Sequence, residues 1–135
     1  MNSNQLIRQY AAGERNFREL NLAEAGLSHT SFAQADLSNS NLSRANLSRS
    51  DLRSANLSQT NLHGADLCYA NLSDADLTGA DLRGAFLLRA NLSGAKLDRA
   101  DLRWAALTDA TPSDLDLSQA HLNRTILPGG YASNG

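Results

Sequence analysis

Apolar residues recur along this chain with a period of five. From Leu22 to Leu127 every fifth residue is leucine at 20 of 22 positions, and the exceptions are Phe32 and Pro112. Two residues ahead of each centre, from Leu20 to Thr125, alanine fills 15 of 22 positions, and most of the rest are Ser or Thr. The residue just before each centre is Asp or Asn in 14 of 22 cases. Five fits neither ordinary element. Along an α-helix five residues advance about 500°, which would wind the leucines around every face. Along a flat strand five is odd, so successive leucines would alternate sides. The chain can bury all of them only by turning once per pentad, so that each leucine returns to a common axis. Alanine and leucine, two apart, then share the inward side. The Asp or Asn and the residue after leucine point outward, and the fifth residue, often Gly, Arg, Gln or Asn, sits at a corner. The pattern predicts a solenoid.

Stretches such as ANLSRSDLRSANLS (Ala45–Ser58) resemble the pentapeptide repeat family, and LIRQYAAGERNF (Leu6–Phe17) running into the repeats, with the terminal ILPGG (Ile126–Gly130), resembles its small cyanobacterial-type members. The resemblance covers about residues 15 to 129. It implies an all-β fold, a right-handed quadrilateral β-helix with four pentads per coil. Twenty residues per coil give about five coils, and at a ladder spacing of about 4.8 Å a rod roughly 25 Å long. The expected organisation is a single domain over 1–135. It comprises a helical cap at 1–14, the β-helix at 15–129 and a flexible tail at 130–135.

A stack of coils exposes apolar cross-sections that need lids. Ser3 to Gly13 reads as a short helix for that purpose. Ser3 is the expected N-cap, Leu6, Ile7, Tyr10 and Ala11 form an apolar stripe, and Gly13 is the C-cap. At the other end Tyr131 is expected to cover the last leucines ahead of a frayed terminus. The pentad Ala110-Thr111-Pro112-Ser113-Asp114 breaks the rule, because proline cannot donate to a ladder. The register resumes at Leu117, which predicts a bulged or looped pentad. Ser40, Ser50, Thr30 and Thr60 occupy alanine positions, so their hydroxyls need backbone acceptors inside.

A 20-residue coil brings outward residues distant in sequence into columns. The face centred on Leu22, Leu42 and their successors sets Arg44, Arg83, Arg103 and Arg124 against Glu24, Asp81 and Asp101, a net +1. The face centred on Leu27 and its successors sets Arg49 and Arg89 against Asp66 and Asp109 and is neutral; the other two carry −2 each within their repeats. Asn21, Asn41 and Asn61 form a ladder able to bond turn backbone. Asp81 above Asp101 is a like-charge pair, and Asp76, Lys96 and Asp116 alternate in sign. The neutral face holds the exception to the polar rule. In GAFLLRA (Gly84–Ala90), Phe86 takes the Asp/Asn slot and Leu88 the Ser slot. Cys68, Tyr69, Ala106, Trp104 and Ile126 fall around them, and Arg49, Tyr69 and Arg89 should align along one corner, where guanidinium and ring can stack. Tyr69, Phe86, Leu88, Arg89, Trp104 and Ile126 therefore form the candidate interaction surface.

Composition removes most other functions. With 12 basic and 14 acidic side chains and a net charge of −2, the chain lacks the basic excess of a nucleic-acid binder. A single Cys68 excludes an internal disulfide and suggests a reducing compartment, and no Cys/His cluster has metal-ligand spacing. The opening MNSNQLIRQYAAGERN has no apolar h-region and no stretch could span a bilayer; the expectation is a cytoplasmic protein. His29, His63 and His121 stand isolated, no Ser–His–Asp arrangement follows from the register, and no phosphate loop appears. Neither catalytic residue, cofactor nor metal is expected. The chain reads as a non-enzymatic interaction scaffold, meeting a protein partner or its own copy through the apolar side of its C-terminal half. The alternative is a mimic of duplex DNA that binds a type II topoisomerase (gyrase), as quinolone-resistance members of the family do. The low charge and short rod weaken it.

Overall fold

The computed structural model describes residues 1–134. One helix, α1 (Ser3–Ala11), precedes a continuous train of pentads. Parallel bridges join residues 20 apart, as in Asn16↔Asp36↔Asn56↔Asp76↔Lys96 and Asn21↔Asn41↔Asn61↔Asp81↔Asp101↔His121. Four pentads therefore complete one circuit, and the fifth lies over the first. Every inward centre from Leu22 to Leu107, Phe32 included, is buried, and the inward alanines from Ala35 to Ala110 are buried with them, apart from half-buried Ala95.

A typical pentad satisfies all five of its N–H groups, and Asn56 to Thr60 shows how. The N–H of Asn56 donates back one coil to Ala35 O at 2.9 Å, and those of Leu57 and Gln59 donate forward to Asp76 O at 2.8 Å and Thr78 O at 2.9 Å. Thr60 N closes a turn on Leu57 O at 3.3 Å. The remaining donor, Ser58 N, reaches Asn56 Oδ1 at 3.0 Å. That last bond explains the Asp/Asn rule. The side chain is an Asx acceptor for the one amide that the ladder cannot serve.

The corner residue of each regular pentad is left-handed, and the exceptions, Asp114 and Gln119, lie in the irregular stretch around Pro112. Sixteen non-glycine residues, from Glu19 (φ 60) to Arg124 (φ 53), have positive φ. With the bond from the alanine N–H to the leucine carbonyl, this is the sign pattern of a type II turn. Each such residue carries some backbone strain, tolerated because the ladder on both sides fixes the corner.

Buried hydroxyls at alanine positions find acceptors as expected. Ser50 Oγ donates to Leu47 O and Thr60 Oγ1 to Leu57 O, both at 2.7 Å, and Ser40 Oγ donates to Phe17 O at 3.1 Å.

α1 lids the first coil, with differences from the sequence reading. The N-cap is Asn2, not Ser3: Asn2 accepts from Gln5 N and Gln5 returns the bond to Asn2 N, a capping box. The chain passes into the helix one residue earlier because only Asn2 stands three before a Gln. Of the expected stripe, Leu6 is buried and Tyr10 half-buried, whereas Ile7 and Ala11 are exposed. A single helix resting on a flat coil end buries only its narrow i, i+4 line. Tyr10 meets Phe32 edge-on at 5.5 Å and donates its hydroxyl to Ala33 O at 2.8 Å. The C-cap is Ala12, with Gly13 (φ 103) following it.

The C-terminal end is built differently. The Thr111–Pro112 peptide is cis. Thr111 still bridges Asn91, and His121 bridges Asp101, but Arg99 N bonds Gln119 O, one residue beyond the usual partner. The ladder slips locally and recovers, as a bulged pentad should. Leu115, Leu117, Leu122 and Leu127 are only half-buried. Where sequence predicts a flexible tail, Ala132 pairs antiparallel with Ile126, and Ser133 N bonds Thr125 O at 2.7 Å. Tyr131 does not cover the leucines. It is 76% exposed, its ring over Gly129, because the Gly129–Gly130 reversal carries it outward.

Candidate interaction surface

The repeat places the outward side chains, so the site can be built column by column. Phe86 bridges Asp66 on one side and Ala106 on the other, and Ala106 bridges Ile126. Phe86 therefore sits at the Asx position and points outward, 53% exposed. Its aromatic ring offers no acceptor to Leu88 N, which finds no protein partner among the described residues. Leu88 is half-buried rather than fully exposed, lying in the column between Cys68 and Thr108. Ile126 is half-buried too, covered by its pairing with Ala132. Partial burial is the main reason that the Cys68 thiol is pushed above its ordinary pKa.

Both corners flanking this face add aromatic surface. On one, the Arg49 guanidinium lies 4.3 Å and that of Arg89 6.0 Å from the ring centre of Tyr69, itself 41% exposed. The expected alignment is present. Arg89 also approaches Asp109 at 3.9 Å, an exposed and weak pair. On the other corner Trp104, 53% exposed, has Arg103 5.7 Å from its ring. Tyr69, Phe86, Trp104 and, above them, Tyr131 thus occupy one side of the rod. Sequence reasoning placed Tyr131 elsewhere, because the reversal at Gly129–Gly130 lies beyond the five-residue period.

The adjoining face corrects one expectation. Asp81 and Asp101 are not left to repel each other. Arg83 clamps Asp81 through Nε at 2.9 Å and Nη2 at 2.8 Å, and Arg103 holds Asp101 through Nη2 at 2.7 Å; Arg83 Nε also lies 4.0 Å from Asp101. Each arginine is two residues after its carboxylate, the same spacing as the Asx bond. These guanidinium bonds hold both carboxyls below the ordinary range. Column stacking alone sets Asp81 over Asp101; the neutralising partner comes from the same pentad, two residues on.

A depression beside Phe86 was also missed. In the corner column Glu24, Arg44, Gly64, Gly84, Trp104, Arg124, two consecutive glycines leave a hollow of about 520 Å³, lined by Ser43, Arg44, Asn61, His63, Gly64, Gly84 and Phe86. Among the described residues, no group of His, Cys, Asp or Glu is placed to hold a metal ion, and no helix is long and apolar enough to cross a membrane.

A four-sided solenoid of pentads with one aromatic flank is a repeat-protein architecture, and the comparisons agree. A family profile described as pentapeptide repeats matches in 8 copies, over residues 16–53, 45–84, 75–111 and 87–124. The chain belongs to the pentapeptide repeat family, the right-handed β-helices. It is similar to the crystal structure of Rfr23, a pentapeptide repeat protein from the cyanobacterium Cyanothece 51142. Identity is 32%, the TM-score 0.74, and the match covers 91% of this chain and 94% of that one. Another pentapeptide repeat protein, alr5209 from Nostoc Pcc 7120, is 39% identical with a TM-score of 0.50, covering 90% and 96%. A trypsin-treated form of QnrB1, a plasmid-mediated fluoroquinolone resistance protein, is 20% identical with a TM-score of 0.40, covering 83% and 69%; a likeness at that level says nothing about function. No curated protein matches the chain.

Proposed function

We propose that this protein is a non-enzymatic interaction scaffold of the cytoplasm, and that its partner docks on the side bearing Tyr69, Phe86, Leu88, Arg89, Trp104 and Ile126. In this reading 1–135 is one domain whose repeats make about five coils, a rod roughly 25 Å long at about 4.8 Å per coil. One observation carries the proposal. Phe86 is more than half exposed in a slot whose usual occupant would have bonded Leu88 N. The Phe86 backbone joins the ladder, but its side chain gives up the Asx bond and shows an aromatic ring to water, so it serves neither the core nor the turn. Exposed aromatic surface beside arginine is the composition of interface centres.

The test is a capture experiment with wild type and Phe86→Asp as baits, alongside light scattering of each. The expected result is a partner, or a weak homodimer, lost in the variant while its fold is retained. The same partners on both baits would contradict the reading. The topoisomerase alternative predicts inhibition of supercoiling at low salt. A net charge of −2 offers little of the anionic density such mimicry needs.

A further inference from the structure

The hollow at Gly64 and Gly84 has two chemically unlike walls. One is the exposed ring of Phe86. The other is a row of donors. Asn61 Oδ1 is occupied by His63 N at 3.0 Å, so the amide –NH₂ is the half left for a visitor. Among the described residues Arg44 has only Glu24 as a charge partner, at 3.7 Å, with both side chains at least 70% exposed, a contact that solvent screens. Ser43 and His63 complete the row, and no carboxylate lines the hollow. Three acids border the hollow without lining it, and each already has a partner: Glu24 approaches Arg44, Asp81, which bridges Asn61, is bonded by Arg83, and Asp66, next in the Phe86 column, accepts from Cys68 N at 3.0 Å through Oδ1.

Nothing in the backbone requires the space to be empty. Gly84 has φ 66, but Arg44 (φ 54) and Trp104 (φ 61) hold the same corner conformation with full side chains. A Cβ on Gly84 would meet nothing nearer than His63 Cδ2 at 4.0 Å. Charge points the same way. The two faces meeting at this corner carry +1 and 0 and the other two −2 each, so an acidic segment meets least repulsion here.

We infer that the hollow receives an acidic segment of the partner protein, in which a carboxylate lies beside an aromatic or leucine side chain. The carboxylate meets Arg44, whose stem lies over Gly64, and the Asn61 amide, and the apolar neighbour packs on Phe86 over Gly84. This inference rests on the docking face proposed above and adds the chemistry of its occupant.

The probe is a blocked heptapeptide with a central Phe flanked by Asp and Glu, titrated into ¹⁵N-labelled protein. Control peptides replace the flanks by Lys or the Phe by Ala. The amide signals of Gly64 and Gly84 should move with the acidic Phe peptide and with neither control. Gly84→Gln, which fills the hollow, should weaken binding at least about tenfold, and Arg44→Glu should do the same from an exposed position if Gly84→Gln fails to fold. Unmoved glycine signals, equal binding of the Lys-flanked peptide, or unchanged affinity in both variants would each overturn the inference. These results are separable from the capture experiment. Partners lost with Phe86→Asp but kept with Gly84→Gln would leave the docking face standing and remove only its acidic occupant.

Discussion

Two pentads on opposite sides of the rod, Asn56–Thr60 and Phe86–Ala90, share an inward half and differ in their outward half. Both bury a leucine and a small neighbour, both turn through a left-handed corner (Gln59 φ 58, Arg89 φ 56), and both join the coils above and below. In the first, the outward Asn56 serves the backbone, accepting from Ser58 N at 3.0 Å and Ser58 Oγ at 2.7 Å. In the second, the Phe86 backbone joins the ladder but its side chain accepts no such bond, and Leu88 N has no protein partner among the described residues. The comparison separates two kinds of constraint. The inward positions decide whether a coil closes, and the outward Asx position contributes stability that a pentad can forgo. Only the outward half is free to record a function.

The largest effect should come from breaking what the two pentads share. Ala75 is fully buried in the alanine column. Ala75→Leu inserts three carbons where coils already touch, and should cost about 1–3 kcal/mol or more, read as a lower denaturation midpoint. A neutral result would mean that the column is not packed as described.

A smaller effect should follow from making the regular pentad resemble the irregular one. Asn56→Ala removes the acceptor for Ser58 N, and a loss of about 1 kcal/mol is expected by analogy with side-chain caps. Asn56→Asp should cost less, because the carboxylate keeps the acceptor.

Acid should act on the adjoining face more gently. The guanidinium bonds from Arg83 and Arg103 depress the pKa of Asp81 and Asp101. A carboxyl depressed in the folded state contributes stability that is present above its unfolded pKa, about 3.9, and lost as pH falls through the folded value. Denaturation midpoints should therefore be flat near neutrality and fall below about pH 4. Arg83→Gln and Arg103→Gln together should flatten that acid limb, and an unchanged limb would show that the clamps do not contribute.

The period of five made the solenoid, the inward leucines and alanines and the outward direction of Phe86 legible from sequence, since each follows from where the chain must turn. Less legible were features with no period. The N-cap moved from Ser3 to Asn2 because capping depends on a single local bond to Gln5. The Asp81–Arg83 clamp lies within one pentad, at a spacing the column reading did not test. The 20-residue coil stacks Gly84 on Gly64, but the hollow beside Phe86 depends on how the side chains of Arg44, His63 and Phe86 lie around them, which has no period. The pairing of Ala132 with Ile126 reverses the chain after the repeats have stopped.

The most direct test of the account is the thermal stability of Phe86→Asn, which gives the irregular pentad the side chain of its regular counterpart. If Phe86 serves a partner and not the fold, the new Asn restores an acceptor for Leu88 N, and the midpoint should hold or rise, with a gain in stability of up to about 1 kcal/mol. A clear loss of stability would show that the ring is part of the protein's own packing, and the docking face would lose its foundation.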